Sequence, residues 1–221
     1  YFHSSKNFVI MQPMIITYFG KQFFKIQQGE MVLSFNPISK DSKSSNGTKF
    51  GSDVALITTN HPDYNGISQL SHGEREPFVV SGPGDYEVRE IFVKGIMSDS
   101  NIGGKKYINT IYTLSMDNIE IVFLGALSDS SLSKEAIEAI GNPDILFIPV
   151  GGKDILDAKN ASKLSASLEP KIIIPMDYDT ESLKAFLKEA GAEGVQKIDK
   201  LTLKRKDLDG KAGEVIVLDQ S

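Results

Sequence analysis

The chain has 221 residues, 40% hydrophobic and 24% charged, proportions that allow a globular protein to bury a substantial core without covalent staples. Cysteine is absent, which excludes disulfides and thiolate metal sites. The net charge of -5 and a pI near 5.3 argue against a general nucleic-acid or membrane-surface role.

No apolar run approaches the ~20 residues that cross a bilayer as a helix. A cytoplasmic protein is expected, with no membrane or nucleic-acid partner. Residues 1–13 read as an N-terminal extension, and residues 14–221 as one folded domain. The lysine-rich stretch near the C-terminus is interrupted by Asp199, Asp207 and Asp209, and reads as a solvated strand face.

In chain order, residues 14–19, 22–26 and 31–35 are short, rich in β-branched and aromatic side chains, and separated by Gly20-Lys21 and Gly29. They predict three strands. Residues 36–51, full of Ser, Lys, Asn and Gly, predict a mobile surface loop. Residues 53–58 are mostly apolar and predict a strand covered on both faces. Further strands are expected at 78–80, 91–94, 108–115 and 119–124, the last two joined as a hairpin through Asp117-Asn118.

The second half alternates helix and strand. Ser133 is placed to cap a helix ending at Gly141, followed by a buried strand over 144–149. Asp157 caps a second helix, with Ala161, Leu164 and Leu168 at helical spacing, before a strand over 171–174. Thr180 is the expected cap of a third helix, carrying Leu183, Phe186, Leu187 and Ala190 and stopping at Gly191. Residues 201–204 and 214–218 are expected to pair with each other around Asp209-Gly210. The glycines of residues 81–84 and 150–152 lack a phosphate-binding fingerprint and predict tight turns.

Only three histidines are present: His3, His61 and His72. His3 lies in the extension and His72 reads as an exposed loop residue, so a two-zinc site built mainly on histidines cannot be assembled. The segment with most chemical promise is Thr58-Thr59-Asn60-His61-Pro62-Asp63-Tyr64, just after a predicted buried strand, where α/β folds place functional groups.

This segment resembles the Thr-His-x-His-x-Asp-His signature of the metallo-β-lactamase superfamily. Other segments fit in order. Ile16-Thr17-Tyr18-Phe19-Gly20 resembles the opening strand, and Gly82-Pro83-Gly84-Asp85-Tyr86-Glu87-Val88 a Gly-Pro-Gly-Glu-Tyr-Glu-Val element. Asn109-Thr110-Ile111-Tyr112, the strand ending in Val150-Gly151-Gly152, and Pro175-Met176-Asp177-Tyr178 follow. The pattern is similar to the branch of ascorbate-6-phosphate lactonase and uncharacterised bacterial zinc-dependent hydrolases. It implies an αββα sandwich of two mixed sheets flanked by helices.

The departures fall on the ligands. By the resemblance, the first histidine falls at Thr59, the fourth-position histidine at Tyr64, and the last at Asp177. The His-Leu-Gly-Asp segment reads Phe123-Leu124-Gly125-Ala126, and the opening Gly-His-Ser reads Gly20-Lys21-Gln22. His61, Asp63 and Asp177 are the ligands left, a set favouring one hard or borderline ion over a zinc pair. Tyr64 could join only as a phenolate, against an ordinary pKa of ~10.

The expectation is therefore a vestigial pocket of Thr59, His61, Asp63, Tyr64, Phe123, Ala126 and Asp177, with no catalytic residue and no cofactor. Three functions remain open. One is a catalytically silent fold binding a small anionic ligand or a protein partner. Another is a residual hydrolase of phosphoesters or lactones using one divalent metal, zinc or manganese. The third is a structural or assembly role, a homo-oligomer included. Asp85, Glu87, Asp99 and Glu74 are the candidate carboxylates to replace a lost ligand.

Overall fold

The computed structural model describes residues 12–73 and 76–221; the 1–13 extension, His3 and Glu74 fall wholly or largely outside them. Among the described residues, thirteen strands form two sheets. β1 (Met14–Tyr18), β2 (Phe24–Gln28), β3 (Met31–Phe35), β4 (Val54–Ile57) and β5 (Phe78–Ser81) open the chain. β6 (Gly84–Val88), β7 (Ile91–Ile102), β8 (Lys105–Met116) and β9 (Ile119–Phe123) form a meander. Then α1 (Lys134–Ile140), β10 (Ile145–Pro149), α2 (Ala158–Leu168), β11 (Ile172–Met176) and α3 (Thr180–Glu189) alternate, before β12 (Lys200–Leu203) and β13 (Glu214–Val215).

The first sheet has the order β12-β1-β2-β3-β4-β5 and the second β13-β11-β10-β9-β8-β7-β6. Both are mixed: antiparallel pairs dominate one side of each sheet and parallel pairs the other. The inner faces meet in an aromatic core, with Phe35 stacked on Phe123 at 4.4 Å between ring centroids. Phe24 meets Phe147 edge-on at 4.9 Å. Burying such rings contributes about 1.5–3 kcal/mol each.

A second apolar layer joins the outer face of the second sheet to all three helices, through Ala136, Ile140, Ala161, Leu164, Leu168, Leu183 and Phe186. The expected αββα sandwich is thus observed. Over the first sheet the cover is lighter: Phe19, Phe23, Ile38, Ala55 and Leu70 are roofed by the segment after β3 and a single 3-10 turn at Ile67–Gln69.

Ser133 and Asp157 cap α1 and α2 as expected, each side chain accepting from a backbone N–H three residues on. The third cap is Asp179, not Thr180; its carboxylate accepts from Ser182 N while Ser182 Oγ bonds back, a capping box that outcompetes the threonine. Asp117 and Asn118 take left-handed φ of 54° and 58° at the β8–β9 hairpin, as their side chains permit.

Three expectations are corrected. β12 and β13 do not pair with each other. β12 adds to β1 and β13 to β11, so the chain end staples the two sheets separately, with Leu203 and Val215 facing different cores. Gly84 begins a strand rather than only a turn. β6 escaped notice because Asp85 and Glu87 are exposed on an edge strand, where polarity costs nothing. The loop after β3 is tied down: Phe50 stacks on Phe23 at 5.5 Å and Asn46 Nδ2 donates to Phe19 O at 2.7 Å. Among the described residues no helix is long and apolar enough to cross a membrane.

Candidate functional site

The C-terminal ends of β4, β9, β10 and β11 and the β1–β2 turn converge at one end of the sandwich. In folds of this kind the strand ends are where loops can aim polar groups into a crevice. Here they surround a cleft of about 240 Å³ lined by Lys21, Asp63, Tyr64, Gly151, Lys153, Asp154, Ile155, Asp177 and Asp179, among others.

At its centre is the Lys21 ammonium. Its Nζ lies 3.1 Å from Asp177 Oδ1 and 3.6 Å from Asp63 Oδ2. Asp177 is 6% exposed, and its other oxygen accepts from Tyr64 OH at 2.7 Å and from Gln22 Nε2 at 3.0 Å. Asp63 Oδ1 accepts from Ser42 Oγ, which the loop after β3 delivers. Every oxygen of these two carboxylates thus has a protein partner. Burial alone would lower the pKa of Lys21, but the charge and hydrogen bond of Asp177, and then those of Asp63, outweigh it and raise it.

Tyr64 is a phenol, not a phenolate. Burial first, and the charge of Asp177 second, push its pKa far above the ordinary value. Tyr178, also on the cleft, is pushed up to about 12 by burial and then by Asp219.

Backbone geometry holds the centre. Lys21 and Asp177 are both left-handed, at φ 52° and 53°, uncommon for residues with a Cβ. Asp177 N donates to Lys21 O at 2.7 Å, and Tyr18 OH donates to the same carbonyl at 3.0 Å. Gly151 must be glycine: a Cβ there would sit 2.2 Å from Asp177 O.

Beneath the cleft runs a fully buried polar network. Asn36 Nδ2 donates to Gln22 Oε1 at 2.9 Å and to Thr58 Oγ1 at 2.8 Å, while Thr58 N donates to Asn36 Oδ1. Thr59 Oγ1 donates to Asn109 Oδ1 at 3.0 Å, which also accepts from Ala126 N. Asn109 Nδ2 reaches Leu124 O at 2.9 Å. Such satisfied networks rigidify what they touch.

Of the seven residues expected in the pocket, Asp63, Tyr64 and Asp177 meet around Lys21. Thr59 faces Asn109 below. Ala126 packs with Tyr64 and Ile155 on the apolar wall. Phe123 is not in the cleft: it is fully buried between the sheets, because its strand turns that side chain toward Phe35 and Phe147. His61 turns aside as well. Its Nδ1 accepts from Asp63 N at 3.2 Å and its ring meets Tyr107 edge-on at 5.6 Å. His72, Asp85, Glu87 and Asp99 are exposed and line none of the cleft. Among the described residues no group of three or more His, Asp or Glu side chains is placed to hold an ion.

Lys21, Gln22, Ser42, Asn36 and Asn109 are the residues sequence reasoning left out of the site. One signal was available: a lysine stands where the resemblance places a histidine, in a chain that keeps Asp63 and puts a second carboxylate, Asp177, where the resemblance places the last histidine.

A family model described as a beta-lactamase superfamily domain matches residues 15–177. A UPF0173 metal-dependent hydrolase of Ignicoccus hospitalis is 24% identical over 204 residues, covering 77% of this chain and 84% of that one. A second, from Methanosphaera stadtmanae, is 27% identical over 200 residues, covering 76% and 85%. Among solved structures, a protein from Thermotoga maritima described as a Zn-dependent hydrolase of the metallo-beta-lactamase superfamily matches with a TM-score of 0.70 at 24% identity, covering 93% of this chain and 98% of that one.

Proposed function

The chain belongs to the metallo-β-lactamase superfamily, and on that premise we propose that it is a non-hydrolytic member whose cleft binds a small polar ligand. The supporting observation is the commitment of both site carboxylates to protein donors: Lys21, Tyr64 and Gln22 on Asp177, and Lys21 and Ser42 on Asp63. A divalent ion draws on unprotonated donors at about 2.0–2.2 Å and repels a neighbouring ammonium. This donor set does not suit it.

The ligand class follows from the lining. Two lysines and four aspartates face the cleft, so a strongly anionic ligand, one of the ligands expected from the sequence, is disfavoured. Lys21 has three N–H donors and two carboxylate partners. The third N–H is free to orient an acceptor oxygen of a neutral or zwitterionic solute. A volume below the ~300 Å³ of typical drug-sized sites points to a small one.

A second reading is favoured by the relatives, which are named metal-dependent hydrolases. In it, Lys21 moves aside and His61, Asp63 and Asp177 hold one ion for phosphoester or lactone hydrolysis, the substrate classes suggested by the likeness to ascorbate-6-phosphate lactonase. Elemental analysis of chain purified without chelator, followed by titration with Zn²⁺ and Mn²⁺, separates the two. The binding reading expects far less than one ion per chain. Near-stoichiometric metal that disappears in Asp63→Ala would overturn it in favour of the hydrolase.

A further inference from the structure

We propose that Lys21 is a tethered cation standing in for the metal, and that removing its charge converts the cleft into a site for a free cation. This rests on the reading that the intact cleft does not take a metal.

The argument begins with connectivity. Asp63 follows β4 and Asp177 follows β11, strands of different sheets. Nothing in the local sequence around either requires the two to approach one another. Lys21 is the link between them, with its ammonium within ion-pair distance of both. Two carboxylates converging on one point repel unless a cation or proton lies between them. Here one ammonium meets that need.

Its attachment fits the role. The Lys21 carbonyl accepts from Asp177 N and from Tyr18 OH, so the turn that presents the side chain is fastened to the residue it neutralises. The 3.1 Å separation suits an N–H donor and the 3.6 Å one an ion pair, and both are too long for metal bonds. The side chain keeps 35% exposure, against 19% and 6% for Asp63 and Asp177, so it sits at the mouth with its charge over the carboxylates. One positive charge facing two negative ones leaves an excess of one negative; deleting the ammonium leaves two on an otherwise unchanged scaffold. The Gln22–Asn36–Thr58 network below continues to hold Asp177 in place. Water can complete the shell of an ion held by Asp63 and Asp177.

The test compares the intact chain with Lys21→Met, nearly isosteric and uncharged. Thermal unfolding and calorimetric titration are run with Mn²⁺, Mg²⁺ and Zn²⁺ chlorides after chelation and dialysis. The intact chain is expected to show no saturable binding. Lys21→Met is expected to melt lower, to recover part of the loss as Mn²⁺ is added, and to bind Mn²⁺ at least about tenfold more tightly than the intact chain. Adding Asp63→Asn is expected to abolish that binding and to raise the melting point of Lys21→Met without metal, since it removes the repulsion instead of neutralising it. Lys21→Gln, which keeps a donor toward Asp177, is measured in parallel and read the same way if Lys21→Met does not fold. Metal binding by neither variant would overturn this proposal alone. Stoichiometric binding by the intact chain would overturn both it and the proposed function.

Discussion

Two regions that the sequence resemblance aligns with ligand positions differ sharply in this molecule. At the end of β9, Phe123 replaces a histidine of the resemblance and Ala126 an aspartate, and both have become hydrocarbon packing. At the ends of β4 and β11, Asp63 keeps the aspartate of the resemblance and Asp177 stands in place of its last histidine, and between them the two carboxylates hold Lys21, Tyr64, Gln22 and Ser42 as partners. A ligand position can be erased by making it apolar, which adds to the core, or by supplying internal counter-charge, which leaves a polar cleft open to solvent. The first route forecloses ligand binding at that spot; the second preserves it.

The largest effect should come from the apolar route. Phe123→Ala removes a ring packed against Phe24, Phe35 and Phe147 and is expected to cost about 3–5 kcal/mol in urea unfolding. Phe123→His should also destabilise, without creating a metal site, because it buries an imidazole among aromatic rings. A Phe123→His chain as stable as the original would break the comparison.

The charged route predicts a smaller loss. Tyr64→Phe removes the hydroxyl donated to Asp177 Oδ2, leaving Gln22 and Lys21 in place, and is expected to cost about 1–2 kcal/mol by the same unfolding measurement. The cleft should survive, so ligands that bind the intact chain should bind this variant. A loss as large as that of Phe123→Ala would show that the cleft is core in disguise.

The smallest effect is a pH dependence at the cleft rim. Hydrogen bonds from Ser182 N and then Ser182 Oγ hold the Asp179 carboxyl below the usual carboxylate range. Its folded pKa is therefore below its unfolded one. Its contribution is complete above the unfolded value of about 3.9 and fades as the pH falls through the folded value. Urea melts from neutral to acidic pH should show a shallower acid limb in Asp179→Asn, which keeps the cap's acceptor and loses the charge. Identical acid limbs would remove Asp179 from the account.

Much of this was legible in one dimension. The β-branched runs, the caps at Ser133 and Asp157, and the Asp117-Asn118 hairpin follow from local chemistry, because strand pattern, cap and turn each depend on a few neighbouring residues. The exposed carboxylates of β6 hid an edge strand, and nothing local says that β12 and β13 join different sheets, since strand pairing depends on which edge is free. At the site, the residue types at positions 59, 61, 63, 64, 123, 126 and 177 led only to the expectation of a vestigial pocket. Local sequence could not distinguish the fates of Phe123 and Asp177, one swallowed by the inter-sheet core and the other held at a cleft. Nor could it place Lys21, 156 residues before Asp177, within 3.1 Å of it. Distances of that kind are set by how the two sheets pack, and only the tertiary structure decides them.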